Sequence, residues 1–404
     1  MKVTICGGRA KDAVARAGAA LILCAAACGG GRARGTQARA AAPRAPADPV
    51  AVGSMMRGVQ AAKDGQRERA IAALREAIRI DPNLWEARYD LGILLTITGD
   101  LAGAEGELAT AAKLAPDLQE GAIALAEVRR RRAEYASAAQ GLGDFVRLHA
   151  NAIEARTLLV AVLRESGQID GAISNARELL VRKPGDATAL TELALSHLSK
   201  GEREAAELLG KQALEANPNS AMTHRLMGLL SLAKGDDANA FAEFRKASQA
   251  DPRDTTSRKN MGVVLLRAGA YARAEEQYRE ILKVSPEDPG AELGLAAALR
   301  GESDAAHPGK LEEARQLLDR VLANDEHDVN ALFNLGVLYA DFLKKPPDAA
   351  PYFTRFLAAA PPDHPLRAEA ERYVSAAAAN APAPSASPPA PTRPPALPPR
   401  GTAH

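Results

Sequence analysis

Apolar positions recur at i, i+3, i+4 and i+7 along most of the chain, the spacing that lines one face of an α-helix. The helical stretches come in pairs within a 34-residue period. A Gly or Asp breaks each pair near its middle, as at Gly99-Asp100, Gly167-Gln168, Gly235-Asp236 and Gly269-Ala270. Prolines mark the period: Pro82, Pro116, Pro184, Pro218, Pro252 and Pro286 stand 34 residues apart, with one double interval in which Ala150 holds the missing place. Twelve residues before each place stands an alanine, from Ala70 and Ala104 to Ala240 and Ala274. Twenty-four before stands a small residue or Val, among them Gly58, Gly92, Val160, Gly228 and Gly262. Small residues let paired helices approach, and the proline stops the second helix and opens the next unit. One such hairpin cannot bury its apolar face alone, so neighbours have to stack.

Composition points the same way. The chain of 404 residues is 47% hydrophobic but only 4% aromatic. Such Ala-rich material favours helices over strands, which prefer aromatic and β-branched residues. No apolar run reaches about 18 residues, so no ordinary membrane-spanning helix is expected. The net charge of +1 gives no whole-chain reason to expect nucleic acid as a partner. Residues 51–378 alone hold 41 basic and 48 acidic residues, a net of −7, between two slightly basic ends.

The spacing of large, Gly, Ala and Pro positions resembles the tetratricopeptide repeat (TPR) over residues 51–363. The resemblance implies an all-α superhelical solenoid of about nine helix-turn-helix repeats. Seven units fall at 51–84, 85–118, 119–152, 153–186, 187–220, 221–254 and 255–288. An eighth, 289–328, is longer by six, its extra residues lying in the turn at about 303–310, with Ala314 and Leu318 back in register. A ninth, 329–363, carries Leu335, Gly336, Ala349, Phe353 and Pro361. Residues 364–378 read as a solvating cap helix, which such arrays need.

The ends read differently. Residues 1–27 have a basic start (Lys2, Arg9, Lys11, Arg16) and an apolar middle from Ala17, and they exit through Ala25-Ala26-Ala27, the parts of a secretory signal peptide. All three cysteines lie here, at 6, 24 and 28, so no disulfide framework and no Cys-based zinc site is expected in the body. Cys28 after small residues resembles the lipid-bearing cysteine of bacterial lipoproteins, although Ala25 stands where that family usually has Leu. Cys24, after Leu21-Ile22-Leu23, is the rival. Gly29 after the cysteine resembles outer-membrane sorting. Residues 28–50 then read as the lipidated Cys and a flexible tether of Gly, Ala, Pro and Arg. The Pro/Ala-rich tail 379–404 reads as a disordered spacer of polyproline II character.

No catalytic motif appears: there is no P-loop, GxSxG, HExxH or paired CxxC. The chain is expected to be non-enzymatic, with no cofactor and no metal. In the resembling family, function lives on the concave face lined by the first helix of each unit, at positions two, five, six, nine, twelve and thirteen. These positions supply Arg225, Lys259 and Asn260 in the sixth and seventh units, and Asn330, Phe333 and Asn334 in the ninth. Lys, Arg and Asn could hold a peptide backbone or carboxylate by charge-assisted hydrogen bonds; a plain solvated face is the other reading. Leu229 departs from the basic clamp of carboxylate-binding family members. The run Arg129 to Arg132 reads first as cations closing a helix C-terminus and second as a site for an anionic partner. Seven of the fifteen aromatics, Phe333, Tyr339, Phe342, Tyr352, Phe353, Phe356 and Tyr373, gather at the end of the array, where they would pack the last unit on the cap.

Three stretches, Ile78 to Glu105, Val128 to Tyr135 and Leu332 to Phe353, resemble the TPR lipoproteins of the adventurous gliding-motility machinery of gliding bacteria. That resemblance implies a scaffold lipid-anchored in the bacterial outer membrane, facing the periplasm, within an envelope-spanning complex. Its partners would be other envelope proteins (motility, pilus or secretion components), with the membrane engaged through the N-terminal lipid. Two other classes stay open: an assembly chaperone or pilotin-like lipoprotein for a secretin or type IV pilus, and an accessory of polysaccharide export.

Overall fold

The computed structural model describes residues 46–303, 307 and 309–379. The expected signal peptide, Cys28, most of the tether, most of the long turn at about 303–310 and nearly all of the tail lie outside the described residues.

Among those residues the chain is helical, without strands. The helices come as antiparallel pairs: α1 (Pro49–Lys63) with α2 (Arg67–Ile80), α3 (Trp85–Thr98) with α4 (Leu101–Leu114), and α5 (Gln119–Arg131) with α6 (Tyr135–Leu148). Then follow α7 (Ile153–Glu165) with α8 (Ile169–Arg182), α9 (Ala187–Lys200) with α10 (Arg203–Ala216), and α11 (Ala221–Lys234) with α12 (Asp237–Ala250). The last pairs are α13 (Thr255–Arg267) with α14 (Tyr271–Val284), α15 (Pro289–Glu302) with α16 (Gly309–Asn324), and α17 (Val329–Val337) with α18 (Pro346–Ala359). One helix, α19 (Arg367–Ala379), follows them. The fold is therefore the expected TPR solenoid of nine hairpins and a cap helix. The chain divides into two compact units at Gly294/Leu295.

Local chemistry fixes the helix ends. Asp100, Asp186, Asp236 and Asp254 each cap a helix, their carboxylates accepting backbone N–H bonds from the first turn. The turn inside each of the first seven hairpins needs a left-handed residue, supplied for example by Gly99 at φ 90°. In the third hairpin the same place falls to Ala133, which takes φ 61° despite its side chain.

Within a hairpin the first helix presents a small residue to a large one on the second. A Cβ on Gly228 would lie 2.5 Å from the Phe244 ring, and one on Gly262 would lie 2.5 Å from the Tyr278 ring. Both rings are essentially inaccessible, and burial pushes the Tyr278 phenol well above its ordinary pKa. The alanines of the lattice, such as Ala70, Ala104, Ala172 and Ala240, are fully buried where second helices press on first ones. In the C-terminal unit the core is aromatic. Phe333 meets Phe353 and Phe356 edge-on at 5.6 and 5.3 Å, and Tyr373 of α19 stacks on Phe353 at 4.5 Å. After α17 the chain winds through a π-helical turn, Leu338–Phe342, the kind of irregularity that interrupts helices at packing or functional positions.

Candidate functional site

First helices of neighbouring repeats touch in series from α1 to α11, so their outer residues form one continuous surface. In the fifth, sixth and seventh repeats, position five of the first helix faces the N-terminal end of the first helix that follows. In α11 this is Arg225, whose Nη1 donates to Asp254 Oδ2 at 3.0 Å. In α13 it is Lys259, whose Nζ donates to Asp288 Oδ2 at 2.9 Å. One repeat earlier Thr191 makes the neutral version, its hydroxyl 2.7 Å from that of Thr223.

The two acids are sunk and fully employed. Asp254 is 5% exposed and also accepts from Thr256 N, Ser257 N and Ser257 Oγ. Asp288 is 4% exposed and accepts from Ala291 N. The cations lie further out, Arg225 28% and Lys259 18% exposed along their side chains, and are held in place from below. A cation fixed in this way loses less entropy on binding than a free surface side chain.

Between α5 and α9 the floor is a chain of alternating charge. Arg130 spans Glu127 at 2.9 Å and Glu165 at 2.7 Å. Arg164 then approaches Glu192 at 3.7 Å. Burial pushes the Glu127 and Glu192 carboxyls above their ordinary range, with the neighbouring arginines pulling the other way. Glu192 Oε2 accepts no hydrogen bond among the described residues. In α3, Asp90 is pushed up to about 7 by burial and then by the like charge of Glu86.

The arginine run is consumed in this framework. Arg129 pairs with Glu105 at 2.9 Å and Arg131 donates to Thr96 O at 2.9 Å. Arg132 bonds Glu105 and also meets Glu134 at 3.0 Å. These bonds join the second repeat to the third, so the run stitches repeats together as well as closing a helix end.

Beside Arg225 and Lys259 runs an apolar lane. Positions nine and twelve of α9, α11 and α13 hold Leu195 and Leu198, Leu229 and Leu232, and Val263 and Leu266, all partly exposed, the first four leucines also packing on buried residues that include those of the next repeat. Asn260 is partly exposed beside Lys259. Arg225, Lys259 and Asn260 thus share one surface with this lane.

The other three expected residues lie in the C-terminal unit. Asn330 is exposed. Asn334 donates to Asn330 O at 2.8 Å and accepts from Arg300 Nη1 at 3.0 Å. Phe333, by contrast, is 9% exposed and built into the aromatic core. The exposed ring nearby is Phe342, 38% exposed, with the Arg300 guanidinium 5.5 Å from its centroid.

Neither the apolar lane nor the anchoring acids stand out from the repeat register alone. A signal for the acids existed: Asp186, Asp254 and Asp288 each stand two residues after a marker proline, where a helix N-cap belongs.

The tetratricopeptide repeat family model matches residues 157–221, 191–255, 259–306 and 309–365, and a second model of the same repeat matches 61–128. The chain belongs to the tetratricopeptide repeat family, whose members act as protein–protein interaction scaffolds. Among solved structures it is similar to yeast Tom70, with 12% identity, 82% of this chain and 96% of that one covered, and a TM-score of 0.42. It is also similar to Pseudomonas aeruginosa pilF, at 20% identity with 55% and 96% covered and a TM-score of 0.46. YrrB, a TPR protein described as having an unusual peptide-binding site, is 22% identical, with 49% and 97% covered and a TM-score of 0.39. A search of curated proteins found no match.

Proposed function

We propose that this protein is a non-enzymatic scaffold that holds a partner protein on its first-helix surface, with an apolar peptide segment on the lane and acidic groups on Arg225 and Lys259. The observation that carries the reading is the juxtaposition of that partly exposed lane with two cations whose counter-acids are buried beneath them. A preformed surface of this kind binds without ordering much chain. We further propose that Cys28 anchors the chain in the bacterial outer membrane, facing the periplasm, and that its partners belong to an envelope-spanning gliding-motility complex. The support for this is the signal-like N-terminus and the resemblance of three sequence stretches, 78–105, 128–135 and 332–353.

The test is affinity capture from detergent-solubilised envelopes, comparing the native chain with Cys28→Ala and with the pair Arg225→Glu, Lys259→Glu. The expected result is capture of motility or motor components, lost with the anchor and lost again in the double variant, whose helical circular dichroism stays native. Capture of a secretin, pilus or glycan-export protein instead would move the function to assembly or export. Capture indifferent to the double variant would remove the groove reading.

A further inference from the structure

Position four of the first helix does one job in two distant repeats. In α3 it is Arg88, whose Nε donates to Pro82 O at 2.9 Å and whose Nη1 donates to Glu107 Oε2 at 2.8 Å. Four repeats on, the same three places hold His224, Pro218 and Glu243. His224 Nε2 lies 2.8 Å from Pro218 O, and its Nδ1 lies 2.7 Å from Glu243 Oε2. The proline belongs to the end of the preceding repeat and the glutamate to the second helix of the same repeat. The side chain at position four therefore staples the joint between repeats.

A guanidinium carries donors on both sides at any ordinary pH, but an imidazole does so only when charged. The Pro218 carbonyl can only accept. Glu243 is ionised: burial works against that, but hydrogen bonds from Lys246 and His224 hold its carboxyl below the usual range. With acceptors at both ring nitrogens, only the charged ring, which carries hydrogen on both, satisfies the two at once. It is only 8% exposed, which leaves little room for water to replace a lost donor. The remaining neighbours do not compensate. Lys246 Nζ is bonded to Glu243 at 2.7 Å, and Arg225 is committed to Asp254. Towards α11, α9 offers the Thr191 hydroxyl, and α10 presents Gly210 to Leu226 and Met227.

We propose that His224 is a proton-gated staple at the joint between the fifth and sixth repeats, closed while the ring is charged and open on one side when it is neutral. A neutral imidazole has one N–H, so either Glu243 or Pro218 O then faces a lone pair. The contribution to the joint is present on the acid side and is lost as pH rises through the range, about 5 to 8, in which histidine changes charge. Where Arg88 does the same work, no such loss occurs.

The experiment is amide hydrogen exchange on the full chain between pH 5.5 and 8, corrected for the intrinsic rate and read at residues 218–226. Exchange in the native chain should rise roughly tenfold across the range, the scale of one lost hydrogen bond to a charged group. His224→Arg should hold it low throughout, and His224→Gln should leave it high throughout. Ring ¹⁵N shifts at pH 5.5, assigned by difference from His224→Arg, should show both nitrogens protonated. A neutral ring at that pH overturns the proposal, as does a pH dependence that survives in His224→Arg.

Discussion

Lys259 reaches to Asp288 at the last place of its own repeat, Nζ to Oδ2 2.9 Å, while the same carboxylate caps the first helix of the next repeat. The two partners are therefore unequal. Asp288→Ala removes a helix cap and leaves a partly buried ammonium without its acceptor, at a cost of about 2–3 kcal/mol. Lys259→Met strips the buried carboxylate of its cation but leaves the cap bond from Ala291 N, and should cost less, about 1–2 kcal/mol. Urea titrations followed by circular dichroism should rank the two in this order; equal losses would mean that the cap contributes nothing.

Gly262 has no room for a methyl group, because its Cβ would stand 2.5 Å from the Tyr278 ring. Gly262→Ala should destabilise by about 1–3 kcal/mol through overpacking. The penalty should shrink when Tyr278→Ala opens the seat, which a double-mutant cycle measures directly.

Ala133 keeps a left-handed backbone in a place that Gly99 and Gly167 hold in the neighbouring repeats. Ala133→Gly relieves that strain at some cost in unfolded-chain entropy. The net should be a gain of about 0.5–1 kcal/mol, seen as a higher thermal midpoint. A lower midpoint would show that the turn is not strained.

How much of this could be read from the chain alone differs between fold and site. The lattice of Pro82, Pro116, Pro184, Pro218, Pro252 and Pro286 exposes the hairpins because close approach and helix breaking each demand a particular residue type at a fixed place. Register also puts Arg225 and Lys259 on the first-helix surface. It says nothing of their commitment to Asp254 and Asp288, because each pair joins segments 29 residues apart, at opposite ends of one repeat. Phe333 shows the opposite limit. Its position is a surface one in an average repeat, but with Phe353 and Phe356 beside it the ring gains more from burial than from water. His224 carries no sign of its bonds in the local sequence, because its acceptors Pro218 and Glu243 stand 6 and 19 residues away.

Asp90 makes stability depend on pH. Its folded carboxyl is pushed up to about 7, above the ordinary aspartate value, so the folded state holds a proton that the unfolded chain gives up. The resulting penalty is absent below about pH 4, grows as pH rises towards 7 and is complete above it. Asp90→Asn should therefore be nearly neutral at pH 4 and stabilising by on the order of 2 kcal/mol at pH 8. Melting curves at the two pH values test the sign; a loss at pH 8 would show the carboxylate to be favourably solvated or paired.

Phe353 is fully buried between Phe333 and the cap-helix residue Tyr373, whose hydroxyl donates to Asp341 at 2.5 Å. Phe353→Ala should cost about 3–5 kcal/mol and loosen α19. The expected readout is proteolytic cleavage beginning within residues 360–379. A cleavage pattern identical to the native one would mean that the cap is held by other contacts.

From α1 to α14 helix contacts run within a repeat or to its immediate neighbour, and discrete cross-links such as Arg225–Asp254 reinforce the joints. A molecule assembled this way responds to tension as springs do in series. Every joint carries the full load, compliances add, and the softest joint gives first while the rest stay folded. Pulled between residues 49 and 294, the protein should lengthen in discrete steps of about one hairpin each, absorbing work and re-coiling when released.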